Sequence, residues 1–536
     1  MAEAPVRPLA HHRRRTGGRR ILLPGAGLVL GLLLICLLAG SGMAWSPFGA
    51  DGKPAGGTPA AVPSAQDPAT RAGALTPRPQ RVTGKELPFD LPSPAALRTG
   101  HHLVFAHYFT PYPLSLDNQP AGQDYYSRNY LSAQGENGKH AQYGGLLRDR
   151  PLPVAPKGGD WQLANLQQEV RTARDAGIDG FSVDILSLTG PNWQRVNLLL
   201  RAAASAAPGF RIMLMPDMTS LHTDPTTLAD ALAGLAASPA AHRLGDGRLV
   251  ISPFKAEAHD PGWWSQLTGR LQTRHGIRTA LVPLFLDFPA NAERFAPISY
   301  GFSEWGNRSY NAQAGAEADV ALAHRLGRTW MQPVSVQDAR PNQGVYDEAG
   351  NTSALRAGWG HAIDDGADWV QLTTWNDYSE GSQFAPSLHN GYAYLDLSSY
   401  YLTRFKTGQW PEIVRDTVYL TSRVQFAGTQ PVPGAQQKLM SPRAGTAPPR
   451  DMVEALTFLT APAVLDTAVG TERQSHPVPA GVRATLVPLH TGWSTATVRR
   501  DGRTVAAVAS RHPVRSQVEV QDLQYYAATS GRPDSP

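Results

Sequence analysis

From residue 101 to about residue 410, short β-branched and apolar runs alternate with longer stretches of helical period. This alternation is typical of parallel strands joined by crossover helices, because each strand is buried on both faces and helices cover the sheet. Helical stretches separate most of the runs, and the fifth connection has room for only a turn of helix. We therefore predict an α/β fold, a (β/α)8 TIM-type barrel over residues 98–413. Its eight strand candidates are residues 102–109, 178–186, 210–218, 248–254, 279–288, 298–306, 329–337 and 368–377.

The chain beyond the barrel changes character. Residues 414–536 lose the helical period and contain six short strand candidates, which are residues 418–426, 455–459, 483–489, 494–500, 503–510 and 517–526. One pair of candidates is joined by Arg500-Asp501-Gly502-Arg503, a sequence typical of a tight hairpin turn. We predict a small C-terminal β-sandwich over residues 414–536, packed on the barrel. Because no compact aromatic platform stands out, we favour a structural buttress over a carbohydrate-binding module.

The residues before the barrel divide into three segments. Residues 1–20 hold six arginines, and residues 21–39 form a run of 19 residues without a charge. A run of this length with its positive flank on the N-terminal side is typical of a membrane-spanning helix. We predict a basic cytoplasmic tail (1–20), a transmembrane signal-anchor or a cleaved signal peptide (21–44) and a disordered Pro/Gly/Ala-rich linker (45–97). The barrel would then lie outside the cytoplasm, on a single-pass anchor in the cell membrane or secreted.

The charge of the chain argues against one class of partner. The net charge of +5 at pH 7 arises in the N-terminal tail, since six of the 49 basic and one of the 44 acidic residues fall in residues 1–20. The remaining 43 basic and 43 acidic residues balance, which disfavours a nucleic-acid partner. The one cysteine, Cys36, lies in the apolar run, so the exported part has no disulfide and needs a large core.

Polar residues stand at the end of nearly every predicted strand. In a barrel of this type the working residues come from the carboxyl ends of the strands. A single acid at such a place is commonly a helix cap, but many polar strand ends on one rim favour a binding site. The predicted substrate-binding residues at the first six strand ends are His107, Tyr108, Asp184, Asp217, Glu304 and Trp305.

The eighth run leads into TTWNDYSEGSQFAP (373–386), which carries two carboxylates three positions apart. Hydrolysis of a glycosidic bond needs one protonated carboxyl group for the leaving oxygen and one carboxylate to attack carbon or to activate water. We predict Asp377 and Glu380 as this catalytic pair. Their spacing permits the separation of ~6.5 to 9.5 Å that goes with inversion, without requiring it. Because aromatic rings suit the apolar face of a pyranose, we add Trp375, Asn376 and Tyr378 as substrate-binding neighbours.

The sequence lacks the motifs of several other catalytic chemistries. The sequence contains no HExxH, paired CxxC, GxSxG or GxxxxGK[ST] motif, so the signatures of zinc proteases, serine hydrolases and nucleotide-binding proteins are absent. We expect neither a metal nor a cofactor. The stretch YDEAGNTS (346–353) carries oxygen ligands that suit calcium, but we favour a solvated loop there.

Four stretches are similar to the motifs of one known family: VFAHYF, AGIDGFSVDI, FRIMLMPDM and TTWNDYSEG, at the first, second, third and eighth strands. Over about residues 100–420 the chain resembles glycoside hydrolase family 71, the α-1,3-glucanases or mutanases. The resemblance implies a glucan endo-1,3-α-glucosidase whose catalytic acids are Asp377 and Glu380, acting with inversion. The chain departs from the family motifs at Ser379, Gly381 and Asp184. We give Glu380, on its longer stem, the role of proton donor and Asp377 the role of base.

Two alternatives stay open at this point. A related barrel, for example a family 99-like glycosidase, would keep the acid pair and act on another polysaccharide such as an α-mannan. A non-catalytic glycan-binding protein of the cell surface would need no acid pair, and this chain has both acids. With an α-glucan polysaccharide as its partner, we expect the protein to be a monomer.

Overall fold

The computed structural model describes residues 86–98, 100–313 and 315–532. The predicted basic tail, the predicted membrane segment and residues 45–85 of the predicted linker lie outside these residues. Among the helices of the described part, none has the length and apolar character needed to cross a bilayer.

A parallel β-sheet curls into a barrel. Neighbouring strands follow the order β5-β4-β3-β2-β1-β11-β8-β7-β6, and a short hairpin of β9 and β10 lies between β8 and β11 in the chain. The strands are β1 (Leu103–Tyr108), β2 (Gly180–Ile185), β3 (Arg211–Pro216), β4 (Leu249–Ile251), β5 (Thr279–Leu281), β6 (Leu284–Phe285), β7 (Gly301–Glu304), β8 (Thr329–Val334), β9 (Asp338–Arg340), β10 (Val345–Asp347) and β11 (Trp369–Leu372).

The two ends of this sheet belong to one strand position. Strand β5 pairs with β4 and strand β6 pairs with β7, and only Val282 and Pro283 separate the two pieces. The Leu284 N–H also donates to the carbonyl oxygen of Pro253, just beyond β4, at 3.0 Å. Because proline has no N–H for a sheet, it interrupts the strand here without opening the barrel. Eight strand positions therefore complete the circle, and the predicted α/β barrel is confirmed.

A helix follows every strand position. Four of these helices begin after an aspartate whose side chain accepts a hydrogen bond from the first turn, which is a common N-cap arrangement: Asp160, Asp224, Asp260 and Asp287. The fifth connection holds a helix of eight residues instead of the single turn predicted. The helices are α1 (Pro94–Leu97) and α2 (Gly135–Gly138), both short, then α3 (Trp161–Asp175), α4 (Gly190–Ala206), α5 (Pro225–Ala236), α6 (Pro261–His275), α7 (Phe288–Phe295), α8 (Ala316–Arg325), α9 (Ser353–Asp364) and α10 (Ala393–Thr407).

Side chains along each barrel strand alternate between the barrel interior and the layer between strands and helices. One apolar cluster fills the interior, and it includes Phe105, Met213, Val250, Met331 and Trp369. Their sequence neighbours, such as Val104 and Ile212, belong instead to the large cluster that the strands form with the helices. Along β1, a residue two positions beyond Phe105 therefore faces the mouth of the barrel.

Residues 86–97 pack against the barrel, although they fall within the predicted disordered linker (45–97). Phe89 is 1% exposed and Leu97 is 2% exposed. Phe89 forms an isolated antiparallel bridge with Ile413, and its ring centroid lies 5.4 Å from that of Tyr400 in α10. The linker prediction is wrong for these residues, because two large apolar side chains hold the segment on the barrel.

The C-terminal part contains two four-stranded antiparallel sheets. Apolar side chains from both sheets form one shared cluster, including Leu420 and Val453 from the first sheet and Leu465 and Val498 from the second. The all-β character of this part is confirmed. The first sheet consists of β12 (Thr417–Ser422), β14 (Met452–Leu459), β17 (Gly481–Pro488) and β20 (Tyr526–Thr529), the second of β15 (Ala463–Val469), β16 (Glu472–Val478), β18 (Ser494–Arg500) and β19 (Arg503–Ala509), and β13 (Ser441–Pro442) pairs with β10.

Some C-terminal strands differ from their predictions. The tight turn is confirmed: Asp501 and Gly502, with φ of 50° and 74°, join β18 to β19. The hairpin of β15 and β16 is missing from the predicted strands, because β16 is polar and largely exposed and shows no apolar run. The stretch 517–526, predicted as a strand, is irregular until β20 begins at Tyr526.

The loop 346–353 is buried, contrary to the solvated loop predicted. Glu348 and Asn351 are both buried, and the Glu348 carboxylate pairs with the Arg423 guanidinium at 2.7 Å. Arg423 follows β12, so the C-terminal sheets cover this loop and supply its ionic partner.

Candidate active site

The sequence TTWNDYSEGSQFAP forms a loop at the carboxyl end of β11. The Trp375 N–H, at the start of this loop, donates to the His107 carbonyl oxygen of β1 at 2.7 Å. The two predicted catalytic acids, Asp377 and Glu380, follow within five residues. Both therefore stand at the C-terminal end of the barrel, which is where enzymes of this fold carry their sites. We call residues 373–386 the acid loop.

The Asp377 side chain is 7% exposed and is held by the residue two positions on. Its Oδ1 accepts hydrogen bonds from the Ser379 N–H at 2.9 Å and from the Ser379 hydroxyl at 2.6 Å. Burial raises the pKa of Asp377 to about 6, although these bonds and the nearby Arg340 guanidinium act to lower it. Asp377 therefore changes its charge closer to neutral pH than an exposed aspartate does.

Glu380 is 8% exposed, and its two oxygens differ in their surroundings. Oε1 lies 2.7 Å from the Nη1 of Arg340, whereas Oε2 is buried and has no hydrogen-bond partner within the described ranges. Burial raises the pKa of Glu380 to about 7; Arg340 opposes this rise and the neighbouring Asp377 adds to it. Glu380 is thus suited to hold a proton near neutral pH.

The arginine beside this pair carries no signature in the sequence. Arg340, in β9, binds Asp338 through its Nε at 2.7 Å and its Nη2 at 2.5 Å, as well as binding Glu380. A second buried arginine, Arg308, lies 3.8 Å from Asp338. Only the tertiary structure brings β9 beside the acid loop, so sequence reasoning missed Arg340 and Arg308.

Three of the predicted substrate-binding residues face the same mouth: His107, Asp184 and Asp217. The Nε2 of His107 lies 3.7 Å from the Asp184 carboxylate, and its Nδ1 lies 3.1 Å from the Met215 sulfur. Burial lowers the pKa of His107 to about 4, so its imidazole is neutral at pH 7. Burial raises the pKa of Asp184 well above its ordinary value, with a contribution from Glu380. Burial also raises the pKa of Asp217 to about 6, and Asp184 adds to this rise.

Aromatic rings line the same space. The ring of Trp305 lies 5.0 Å from that of His107 and 4.9 Å from that of Phe254, and the Arg308 guanidinium carbon lies 4.7 Å from the Trp305 ring centroid. Tyr112, from the long loop after β1, lies beside Asp377, and its pKa is raised by burial and by that carboxylate. Trp305 is thus brought together with the acids, as the sequence predicts.

Tyr108 and Trp375 point to the other side of the strands, toward α3. The Tyr108 hydroxyl donates to Glu169 Oε1 at 3.2 Å, and the Trp375 indole N–H donates to Glu169 Oε2 at 3.1 Å. Burial raises the pKa of Glu169 to about 7. Tyr108 faces α3 because it directly follows the inward-facing His107 and the side-chain direction reverses at each residue of a strand. The contact of Tyr108 and Trp375 with substrate stays a prediction.

Glu304 also lies away from the acid pair. Its Oε1 accepts a hydrogen bond from the Phe288 N–H, at the start of α7, at 3.3 Å. Burial raises the pKa of Glu304 to about 7, and the neighbouring Asp319 adds to this rise. Because Trp305, the next residue, faces the mouth, Glu304 faces the helices, and its contact with substrate stays a prediction.

Asn376 and Tyr378 hold the loops of the site together. The Asn376 side chain accepts from the Phe109 N–H at 2.7 Å and donates to the Tyr112 carbonyl oxygen at 2.7 Å. Tyr378 is buried in a small apolar cluster with Tyr112 and Tyr126. Both residues therefore fasten the long loop after β1 to the acid loop, and their contact with substrate stays a prediction.

The mouth of the barrel offers carboxyl, imidazole, guanidinium and aromatic groups. In the described part of the chain, no group of three or more His, Cys, Asp or Glu residues is arranged to hold a metal ion. Carboxyl groups with raised pKa values can give and take protons near neutral pH. A neutral imidazole, carboxylates and an indole ring can together bind the hydroxyl groups and the apolar face of a sugar.

Two carboxyl groups of this kind at the C-terminal end of an α/β barrel are what a glycoside hydrolase needs. A family model described as glycosyl hydrolase family 71 matches residues 156–534. This match spans more than half of the chain, and the chain belongs to that family. The resemblance seen in the sequence is confirmed, and the match extends past residue 420 to include the C-terminal sheets.

Two relatives are named for their activities. The chain is 23% identical over 384 residues to a glucan endo-1,3-alpha-glucosidase of Schizosaccharomyces pombe, a match that covers 65% of this chain and 86% of the relative. It is 25% identical over 377 residues to a mutanase of Penicillium rubens, covering 65% of this chain and 80% of that relative. Among solved structures, the family 99 endo-alpha-mannosidase of Bacteroides thetaiotaomicron matches with a TM-score of 0.45 and 15% identity, over 57% of this chain and 98% of that structure.

Proposed function

We propose that this protein hydrolyses α-1,3-glucan. The observation that carries the proposal is the acid pair itself: Asp377 and Glu380 lie within the matched family region, at the mouth of the barrel, and burial raises both pKa values toward neutral pH. The relatives from Schizosaccharomyces pombe and Penicillium rubens, whose names state a glucan endo-1,3-alpha-glucosidase and a mutanase, support α-1,3-linked glucan as the substrate.

Glu380 is the proposed proton donor and Asp377 the proposed base. The Ser379 N–H and hydroxyl donate to the Asp377 carboxylate and favour its charged form, whereas burial and the neighbouring Asp377 raise the pKa of Glu380 and favour its protonated form. Glu380 gives its proton to the glycosidic oxygen as the bond from that oxygen to the anomeric carbon breaks. Asp377 takes a proton from a water molecule whose oxygen bonds to the opposite face of that carbon. The configuration of the anomeric carbon is thereby inverted.

The inward-facing residues are the proposed substrate contacts. Asp184 has a buried Oδ1 without a hydrogen-bond partner in the described ranges, which suits it to accept from a sugar hydroxyl group. His107 and Asp217 share the same wall, and the Trp305 ring offers an apolar face for a pyranose.

The remaining predictions concern organisation. We propose a barrel domain followed by a β-sandwich, since apolar residues of both C-terminal sheets share one cluster. The sandwich would serve as a structural buttress for the barrel. Residues 21–44 would anchor the chain in the cell membrane or be cleaved, so that the barrel acts outside the cytoplasm, and the protein would act as a monomer.

A substrate panel tests the function directly. The full-length protein is incubated with insoluble α-1,3-glucan, α-1,4-glucan, β-1,3-glucan and α-mannan, and the reducing ends released are measured. We expect release from α-1,3-glucan alone, and proton NMR of the fresh product should show the β-anomer first if the configuration is inverted. Cleavage of α-mannan without cleavage of α-1,3-glucan would replace the proposed substrate.

A further inference from the structure

The acid loop is supported by a segment from the C-terminal part of the chain. Residues 521–526 run beside it before entering β20. The backbone of Tyr525 pairs with the side-chain amide of Gln337: the Tyr525 N–H donates to Oε1 at 2.7 Å, and Nε2 donates to the Tyr525 carbonyl oxygen at 3.3 Å. Gln337 is buried, so water does not compete for these two hydrogen bonds.

Within three residues of Gln337, the chain makes two contacts with Glu380, through Ala339 and Arg340. The Ala339 N–H donates to the Glu380 carbonyl oxygen at 2.7 Å, and Arg340 holds the Glu380 carboxylate, also at 2.7 Å. One contact fixes the backbone of Glu380 and the other fixes its side chain. A shift of Gln337 would therefore disturb both contacts together.

A second contact comes from Gln524. Gly381, the residue after Glu380, has φ of 65°, and a Cβ placed there would lie 2.3 Å from the Nε2 of Gln524. Gln524 is 0% exposed. Its amide thus occupies the space that the side chain of any other residue at position 381 would need, and it packs directly against the acid loop.

We propose that Gln337 and Gln524 are positioning residues for the acid pair, through which the C-terminal part of the chain takes part in forming the active site. The inference rests on the proposed role of Glu380 as proton donor. It goes beyond a buttress, because a buttress stabilises the fold, whereas these contacts reach the backbone and the ionic partner of one catalytic residue.

The first test replaces Gln337 by methionine, which has a similar volume and forms neither hydrogen bond. Because Arg340 lowers the pKa of Glu380, a looser Arg340 raises that pKa and moves the alkaline limb of the kcat profile upward. We expect a shift of about half a pH unit or more and a kcat lower by roughly tenfold, since small displacements of a reacting group are costly. KM should change little.

The matched control is Gln425→Met. Gln425 is buried, and its Oε1 accepts from the Asp522 N–H at 3.0 Å, so this variant also loses a hydrogen bond to the 521–526 segment. Within the described part of the chain, no hydrogen bond joins the Gln425 side chain to β9 or to the acid loop. We expect a stability loss similar to that of Gln337→Met and an alkaline limb that does not move.

The second test is a double-mutant cycle. Gly381→Ala directs a methyl group at Gln524, and Gln524→Ala makes room for it. Gln524→Ala alone should lower kcat, and the loss in the double variant should be smaller than the sum of the two single losses, because the methyl group no longer meets the amide. The strain of alanine at positive φ stays in both variants that carry Gly381→Ala.

The results separate this inference from the proposed function. An unmoved alkaline limb in Gln337→Met, or a kcat of Gln524→Ala equal to that of the wild type, would overturn the positioning role. If the wild type releases nothing from α-1,3-glucan, the proposed function fails instead. The inference is then decided by unfolding: the loss of stability that Glu380 causes as pH rises toward 7 should extend to higher pH in Gln337→Met, and identical curves would overturn it.

Discussion

Polar and aromatic side chains at the barrel rim have different roles depending on whether they face the mouth or the helices. At the end of β1, His107 faces the mouth and Tyr108 faces α3; at the end of β7, Glu304 faces the helices and Trp305 faces the mouth. The outward groups bond to the protein itself, as the Tyr108 hydroxyl does with Glu169. The inward groups gather around the acids. Residue type alone therefore does not mark a binding residue, whereas the side of the strand does.

The largest effect is expected from the acid pair on the inward side. Asp377→Asn and Glu380→Gln keep the size of each side chain and remove its ability to exchange a proton. Each should lower kcat on α-1,3-glucan by roughly 100-fold or more, measured as reducing ends released. Circular dichroism of each variant controls for folding. A folded variant with a rate close to that of the wild type would remove its residue from the mechanism.

Activity should also be confined to a narrow range of pH. The base Asp377 must be charged, so kcat falls as pH drops below its pKa of about 6; the donor Glu380 must be protonated, so kcat falls as pH rises above about 7. Because the two carboxyl groups interact, the two apparent pKa values of the kcat profile belong to the pair and not to either residue alone. A kcat profile between pH 4 and pH 9 checks this expectation, and a rate that stays constant up to pH 9 would contradict the donor assignment.

Substitutions at two neighbouring strand ends test the difference between inward-facing and outward-facing side chains most directly. Asp184→Ala, on the inward side, should lower kcat/KM about tenfold, because removing the acceptor leaves a buried sugar hydroxyl group unpaired, at a cost of about 1 to 3 kcal/mol. Tyr108→Phe, on the outward side, should leave kcat/KM nearly unchanged. Steady-state kinetics on a soluble α-1,3-gluco-oligosaccharide measures both, and the reverse ranking would show that the side of the strand has been misjudged.

Substitution of an outward-facing residue of the acid loop should lower the stability of the protein and leave its activity nearly unchanged. Trp375→Phe removes the indole donor to Glu169 and leaves a small cavity, at a cost of about 2 kcal/mol in the free energy of unfolding. Because the Trp375 backbone bond to His107 is kept, kcat should change little. Urea unfolding with kinetics on the same sample tests this, and a large loss of kcat with unchanged stability would place Trp375 in contact with substrate.

The smallest effect is expected at Glu304. Its pKa is raised to about 7 by burial and by Asp319, so the charged form is disfavoured in the folded state, and its cost to stability grows as pH rises from the unfolded pKa to about 7. Glu304→Gln keeps the acceptor for the Phe288 N–H and removes the charge. It should raise the free energy of unfolding by roughly 1 kcal/mol at pH 8 and by almost nothing at pH 4. Equal effects at both pH values would contradict this account.

Much of the barrel could be predicted because its strands are local. Each strand is an apolar run of a few residues, and the helices between the strands show a helical period in their apolar residues. All eight strand positions could therefore be predicted from the sequence. The acid pair could be predicted for the same reason, since Asp377 and Glu380 share one loop. Arg340 was not, because it acts across the site from a hairpin whose sequence shows no motif.

The amino-acid sequence by itself determined the order of strands and helices, the all-β character of the C-terminal part and the loop that carries the two acids, because these depend on residues close together in the chain. Only the tertiary structure decided which strand-end side chains face the mouth, that residues 86–97 pack on the barrel and that Tyr525 holds Gln337. The reason is physical: a shift of one position along a strand reverses the direction of a side chain, and contacts between residues almost 200 positions apart form only when the whole chain is folded.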